Sequence, residues 1–144
     1  MRDTTFRPRR ALVLGVAASD AHAVANRLIH LMLTEQGFRV RNLGVCTPLA
    51  EFADAAAELD AAAVIIGSVN GHAVNDLADL PGLRAMGRLA CPVVFGGRPS
   101  IEVGGAATGR ARLRELGVDH VLDRAEQLPA LLDSILAPVL THAG

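Results

Sequence analysis

An aspartate and a histidine two residues apart, Asp20 and His22, follow an apolar run, Ala11-Leu12-Val13-Leu14-Gly15-Val16. A carboxylate beside a histidine can hold one ring nitrogen protonated and leave the other as a strong metal ligand. The same tripeptide also fits an ordinary helix start, with Asp20 as the capping partner of His22. Two further segments of small residues follow in the chain, Gly67-Ser68-Val69-Asn70-Gly71-His72 and Gly96-Gly97. Their glycines leave room against the backbone, which suits a flat or elongated ligand better than a small ion.

The elements that must position these residues can be read from the apolar pattern. Short apolar runs alternate with helical spacing. Strands are expected at 11–16, 38–43, 62–66, 92–95 and 120–122. Helices are expected at 22–36, 48–59, 75–89 (broken near Pro81-Gly82), 107–116 and 125–136, with a loop over 98–108. In the first helix Val24, Leu28, Leu31 and Met32 share one face, and Gly37 closes it. Thr47 and Pro48 read as cap and first turn of the second. The third strand is apolar throughout, as in a parallel sheet covered on both faces.

This order predicts one α/β domain, a doubly wound Rossmann- or flavodoxin-like sheet of five parallel strands in the order 2-1-3-4-5. Residues 1–10 and 139–144 read as tails around a domain at 11–138, with the basic cluster Arg2, Arg7, Arg9 and Arg10 as a solvated segment. The strand order reverses between the first and third strands, so the loops after strands one, three and four converge on one rim. That rim is where such sheets bind ligands.

Composition narrows the choices. Of 144 residues, 51% are hydrophobic but only 3% aromatic, so the core is built from Ala, Val, Leu and Ile. A net charge of -1 implies no general attraction to nucleic acid or to an anionic membrane. No apolar run approaches the length of about 20 residues needed to span a bilayer. Two cysteines, Cys46 and Cys91, far apart and outside any CxxC, point to a reduced, cytoplasmic protein. The segment after the first strand lacks G-x-G-x-x-G, a P-loop is absent, and Gly67-Ser68 stand where a response regulator carries its aspartate. No catalytic acid/base cluster accompanies the Asp-x-His loop.

With these residues in view, the chain resembles cobalamin-binding domains, whose pattern is D-x-H-x-x-G, then S-x-L, then G-G. More narrowly it is similar to the small subunits of glutamate mutase (methylaspartate mutase). The likeness rests on Ser19-Asp20-Ala21-His22-Ala23-Val24-Ala25-Asn26, on 37–45 and on Phe95-Gly96-Gly97. It implies that His22 is the lower axial ligand of cobalt in adenosylcobalamin, bound base-off, with Asp20 on the other ring nitrogen. The displaced nucleotide tail would pass Ala23, Val24, Ala25, Gly67, Ser68, Val69, Gly71, Gly96 and Gly97. A separate large (β/α)₈-barrel subunit would cover the corrin and bind the substrate. The chain departs from the pattern at Ala25 (Gly in the motif), Gly67 (Ser) and Val69 (Leu). A cobalamin carrier or sensor, and a scaffold that has lost the cofactor, are the alternatives. His72, Cys46 and Arg98 lie in loops that could meet the rim, while His30 is expected on the helix surface.

Overall fold

Valine, isoleucine and leucine dominate the strand segments, and a parallel sheet buried on both faces is where such runs are stable. The computed structural model describes residues 10–98 and 105–137. It contains β1 (Ala11–Val16), α1 (Ala23–Glu35), β2 (Arg39–Asn42), α2 (Leu49–Leu59), β3 (Ala63–Ser68), α3 (Ala73–Asp76), α4 (Leu80–Ala85), β4 (Val93–Gly97), α5 (Gly105–Leu116), β5 (His120–Leu122) and α6 (Leu128–Leu136). The five strands form one parallel sheet in the order β2-β1-β3-β4-β5, as expected.

Side chains alternate strictly between the two faces. Val13, Val64, Ile66, Val93 and Phe95 point toward α2, α4 and α5, where Phe52, Leu80 and Leu113 meet them. Leu12, Leu14, Ile65 and Val94 point to the other face, where Leu33 of α1 and Leu128, Leu132 and Leu136 of α6 cover them. At Gly15 a β-carbon would come within 2.7 Å of the Phe52 ring, so the missing side chain lets α2 press against β1.

The structure alters several expected details. The face of α1 carrying Val24, Leu28 and Leu31 points to solvent, with exposures of 75%, 62% and 48%. Helical spacing shows that these residues share a face, but not which face meets the sheet. The inner face is Asn26 and Leu33, with Ile29 and Met32 partly buried. Thr47 does not cap α2. Pro48 holds that position, and the buried Thr47 hydroxyl turns back to the carbonyls of Leu43, Gly44 and Val45. The break in the third predicted helix lies at 77–79, and Pro81 starts α4 rather than interrupting it. Helix formation before Pro81 fails, while at the first turn its missing N–H costs nothing.

Gly67, Ser68, Gly96 and Gly97 end strands instead of lying in loops. Arg10, expected in the tail, donates to the Ala61 carbonyl at 3.1 Å and ties the foot of β1 to the start of β3. Residues 1–9 and 138–144, and the Gly- and Ser-containing stretch at 99–104, lie outside the described residues.

Candidate functional site

β1 ends at Val16, and the chain turns through Ala17 to Asp20 before α1 begins. The Asp20 carboxylate lies inside this turn and is 1% exposed. One oxygen accepts the His22 backbone N–H at 2.8 Å and faces His22 Nδ1 at 2.5 Å. The other accepts the N–H groups of Val69 (2.7 Å) and Asn70 (3.2 Å), from the turn after β3. Burial works to raise the Asp20 pKa, but the donors at Val69 and His22 outweigh it and bring it down to about 2. The carboxylate is therefore ionised and can only accept. In the neutral ring Nδ1 of His22 is therefore the protonated nitrogen, and Nε2 is the one with a lone pair to offer. The His22 side chain is 66% exposed at the sheet's carboxyl edge.

Asp20 also joins three loops into one rim. Its side chain holds the turn after β3, and its carbonyl accepts the Cys46 N–H of the turn after β2 at 2.9 Å. Ser19 adds a hydroxyl bond to Asp76 (2.7 Å), and Asn70 returns a bond to the Ser19 carbonyl (2.8 Å). The histidine is thus presented from a braced edge.

Below the rim a slot of about 220 Å³ opens between α1 and α6. Its floor is Leu14, Ile65 and Val94 with Gly67 and Gly96; Asp20 and His22 stand at its mouth. The two adjacent glycines of β4 have different roles. A β-carbon on Gly96 would meet nothing within 4 Å, and one on Gly67 only carbonyl oxygens at 3.9 Å, so both leave usable space. One on Gly97, at φ +124°, would fall 2.0 Å from the Ser68 carbonyl oxygen. Gly97 serves the close approach of β3 and β4, whereas Gly96 keeps the slot open.

Of the residues singled out from sequence, Asp20, His22, Ala25, Gly67, Ser68, Val69, Gly96 and Gly97 line this mouth and slot. Ala23, Val24 and Gly71 do not. The Ser68 side chain is buried and bonds Asn70. His72 is exposed beside the rim at the start of α3, Arg98 is exposed at the end of β4, and Cys46 is exposed on the rim. His30 is partly buried, contrary to the surface position expected for it. The sequence reading missed the walls: Asn26 and Ile29 on α1, and Leu122, Arg124 and Leu128 on the opposite side. The first pair lies one and two turns after His22, a spacing that identifies them. The second group carries no local signal and is brought in by topology alone.

A histidine with a free ring nitrogen above a deep apolar slot with a glycine floor suits one kind of group. It must offer a coordination position at the rim and an elongated tail. Over residues 10–132 the chain matches the family model described as B12 binding domain, and it belongs to that family. Within the family it is similar to glutamate mutase sigma subunits. It is 39% identical to that of Halobacterium salinarum over 86% of this chain and 83% of that one. It is 33% identical to that of Treponema denticola over 92% and 96%. Among solved structures it superposes on a cobalamin-binding protein from Desulfitobacterium hafniense with a TM-score of 0.73. That match covers 88% of this chain and 59% of the other, and at 21% identity it speaks to the fold alone.

Proposed function

We propose that this chain is the cofactor-holding subunit of glutamate mutase, an isomerase that interconverts L-glutamate and 3-methylaspartate. It binds adenosylcobalamin base-off, with His22 Nε2 as the lower cobalt ligand. The observation that carries this reading is the Asp20–His22 pair at the mouth of the glycine-floored slot. When bound, the cofactor supplies a cobalt–carbon bond whose homolysis starts the radical rearrangement.

The chain's own residues do the rest of the holding. Asp20 keeps the Nδ1 proton in place, so Nε2 remains a donor to metal and its basicity rises. The rim braced by Asp20, Ser19 and Asn70 fixes the ring before anything binds. Ala25, Gly67 and Gly96 give the nucleotide tail its path, and the apolar floor excludes water from it. Among the described residues no cluster suited to binding substrate lies on this rim, and three short turns cannot shelter a radical from water. A separate subunit therefore covers the corrin, a (β/α)₈ barrel as the family resemblance implies, and the rim residues Val69, His72 and Arg98 face it. Among the described residues no helix is long and apolar enough to cross a membrane, and both thiols are free. We place the protein in the cytoplasm.

The test is electron paramagnetic resonance of the Co(II) form with isotopically labelled histidine. Coupling to a histidine nitrogen is expected, and it should disappear with cofactor affinity in His22→Ala. Coupling to the benzimidazole nitrogen overturns the assignment. Turnover of glutamate should require the barrel subunit; turnover by this chain alone refutes the division of labour.

A further inference from the structure

Among the described residues two enclosed side-chain nitrogens lack any hydrogen-bond partner, Asn26 Nδ2 and His30 Nδ1. Asn26 stands on the α1 wall of the slot and is only 8% exposed. A buried amide donor left unpaired is costly, so an orphan at a ligand slot calls for a partner.

The orientation of this amide follows from a short chain of bonds. The Gly44 backbone N–H can only donate, and it donates to Asn42 Oδ1 at 2.9 Å. Asn42 must then offer its Nδ2, which donates to Asn26 Oδ1 at 2.8 Å. Asn26 is left with its Nδ2 donor free. The ladder from Gly44 through Asn42 to Asn26 thus fixes the amide, leaving Nδ2 enclosed and unpaired on a residue that lines the α1 side of the slot.

We propose that Asn26 is a cofactor-binding residue whose Nδ2 donates a hydrogen bond to an acceptor atom of the nucleotide tail, with Asn42 as the positioning residue that aims it. This rests on the cobalamin reading above. It also offers a compensation for Gly67, which lacks the hydroxyl found at that place in the family pattern. Asn26 supplies a polar contact from the opposite wall.

The experiment compares binding of cobalamin with binding of cobinamide, which keeps the corrin but lacks the nucleotide tail. Titrations are followed by absorbance. Asn26→Asp preserves shape and the acceptor for Asn42, but replaces the donor with an acceptor. It should weaken cobalamin binding about tenfold and leave cobinamide unchanged. Asn42→Asp leaves the slot untouched and still accepts from Gly44. It should turn the Asn26 amide over and produce the same selective loss. Equal losses for both ligands would make the ladder a structural brace, and unchanged affinities would leave Nδ2 to an internal partner such as His30; either overturns the inference. Failure of the unaltered chain to bind cobalamin at all overturns the function reading itself. A selective loss in Asn42→Asp alone still upholds the inference if Asn26→Asp does not fold.

Discussion

The two faces of the sheet are built from similar residues and end up differently. On one face α2, α4 and α5 cover the strands over their length, and Phe52, Phe95, Leu80 and Leu113 are no more than 1% exposed. On the other face, among the described residues, only α1 and α6 are present. They close over the foot of the sheet through Leu33, Phe38, Leu132 and Leu136, and part toward its carboxyl end. Leu14, Ile65 and Val94 are as apolar as their counterparts, yet they floor a slot. The cavity comes from the number and spread of helices, not from polar strand residues. A binding site can therefore be made by leaving cover off a core that is otherwise ordinary.

The largest effect should come from the packed face. Phe52→Ala removes a ring seated against Gly15 and should lower stability by about 3–5 kcal/mol, measured by urea denaturation. Cobalamin affinity of the folded fraction should stay unchanged. A loss of affinity comparable with the loss of stability would show that the two faces are not independent.

At the boundary between the faces lies Asp20. Its pKa is about 2 in the folded chain against an ordinary 3.8. A depressed folded pKa adds stability that is present above pH 3.8 and is lost as pH falls toward 2. The shift corresponds to about 2 kcal/mol. Asp20→Asn should remove at least that much at neutral pH, and should flatten the acid limb of stability against pH between 3.8 and 2. An unchanged acid limb would place the linkage elsewhere.

The smallest effect should come from within the slot. A serine at 67 has room, since a β-carbon there meets only carbonyl oxygens at 3.9 Å. Gly67→Ser with Ala25→Gly should tighten cobalamin several-fold, through one added hydrogen bond and a deleted methyl, chiefly by slower release. Stability should fall by about 0.5–1 kcal/mol from the glycine in α1. Weaker binding would mean that this chain routes the tail along another wall.

Much of this was legible in the residues. Parallel order, strand positions and the meeting of the turns after β1 and β3 follow from apolar runs and their spacing, while the bond that ties in the turn after β2 depends on backbone geometry. The Asp-x-His spacing leaves both a helix-start cap and a ring contact open, and Asp20 makes both, to the backbone N–H and to Nδ1 of His22. Other features depend on where elements settle. The outward face of α1 could not be told from its inward face, because Asn26 takes a core position that apolar counting assigns elsewhere. Leu122, Arg124 and Leu128 reach the slot across nearly the whole chain length from His22. The different duties of Gly96 and Gly97 depend on a backbone angle and on the distance to Ser68.

The shallow anchoring of α1 has a consequence in time. The helix buries only Asn26 and Leu33 fully, and its first turn carries Val24 into solvent. The opposing floor strands are buried on both sides. This wall of the slot therefore has less to lose by opening than the strands it faces, since local opening is governed by how much a segment buries. Release of whatever lodges between α1 and α6 is therefore expected to follow local opening of the α1 wall and not melting of the whole domain.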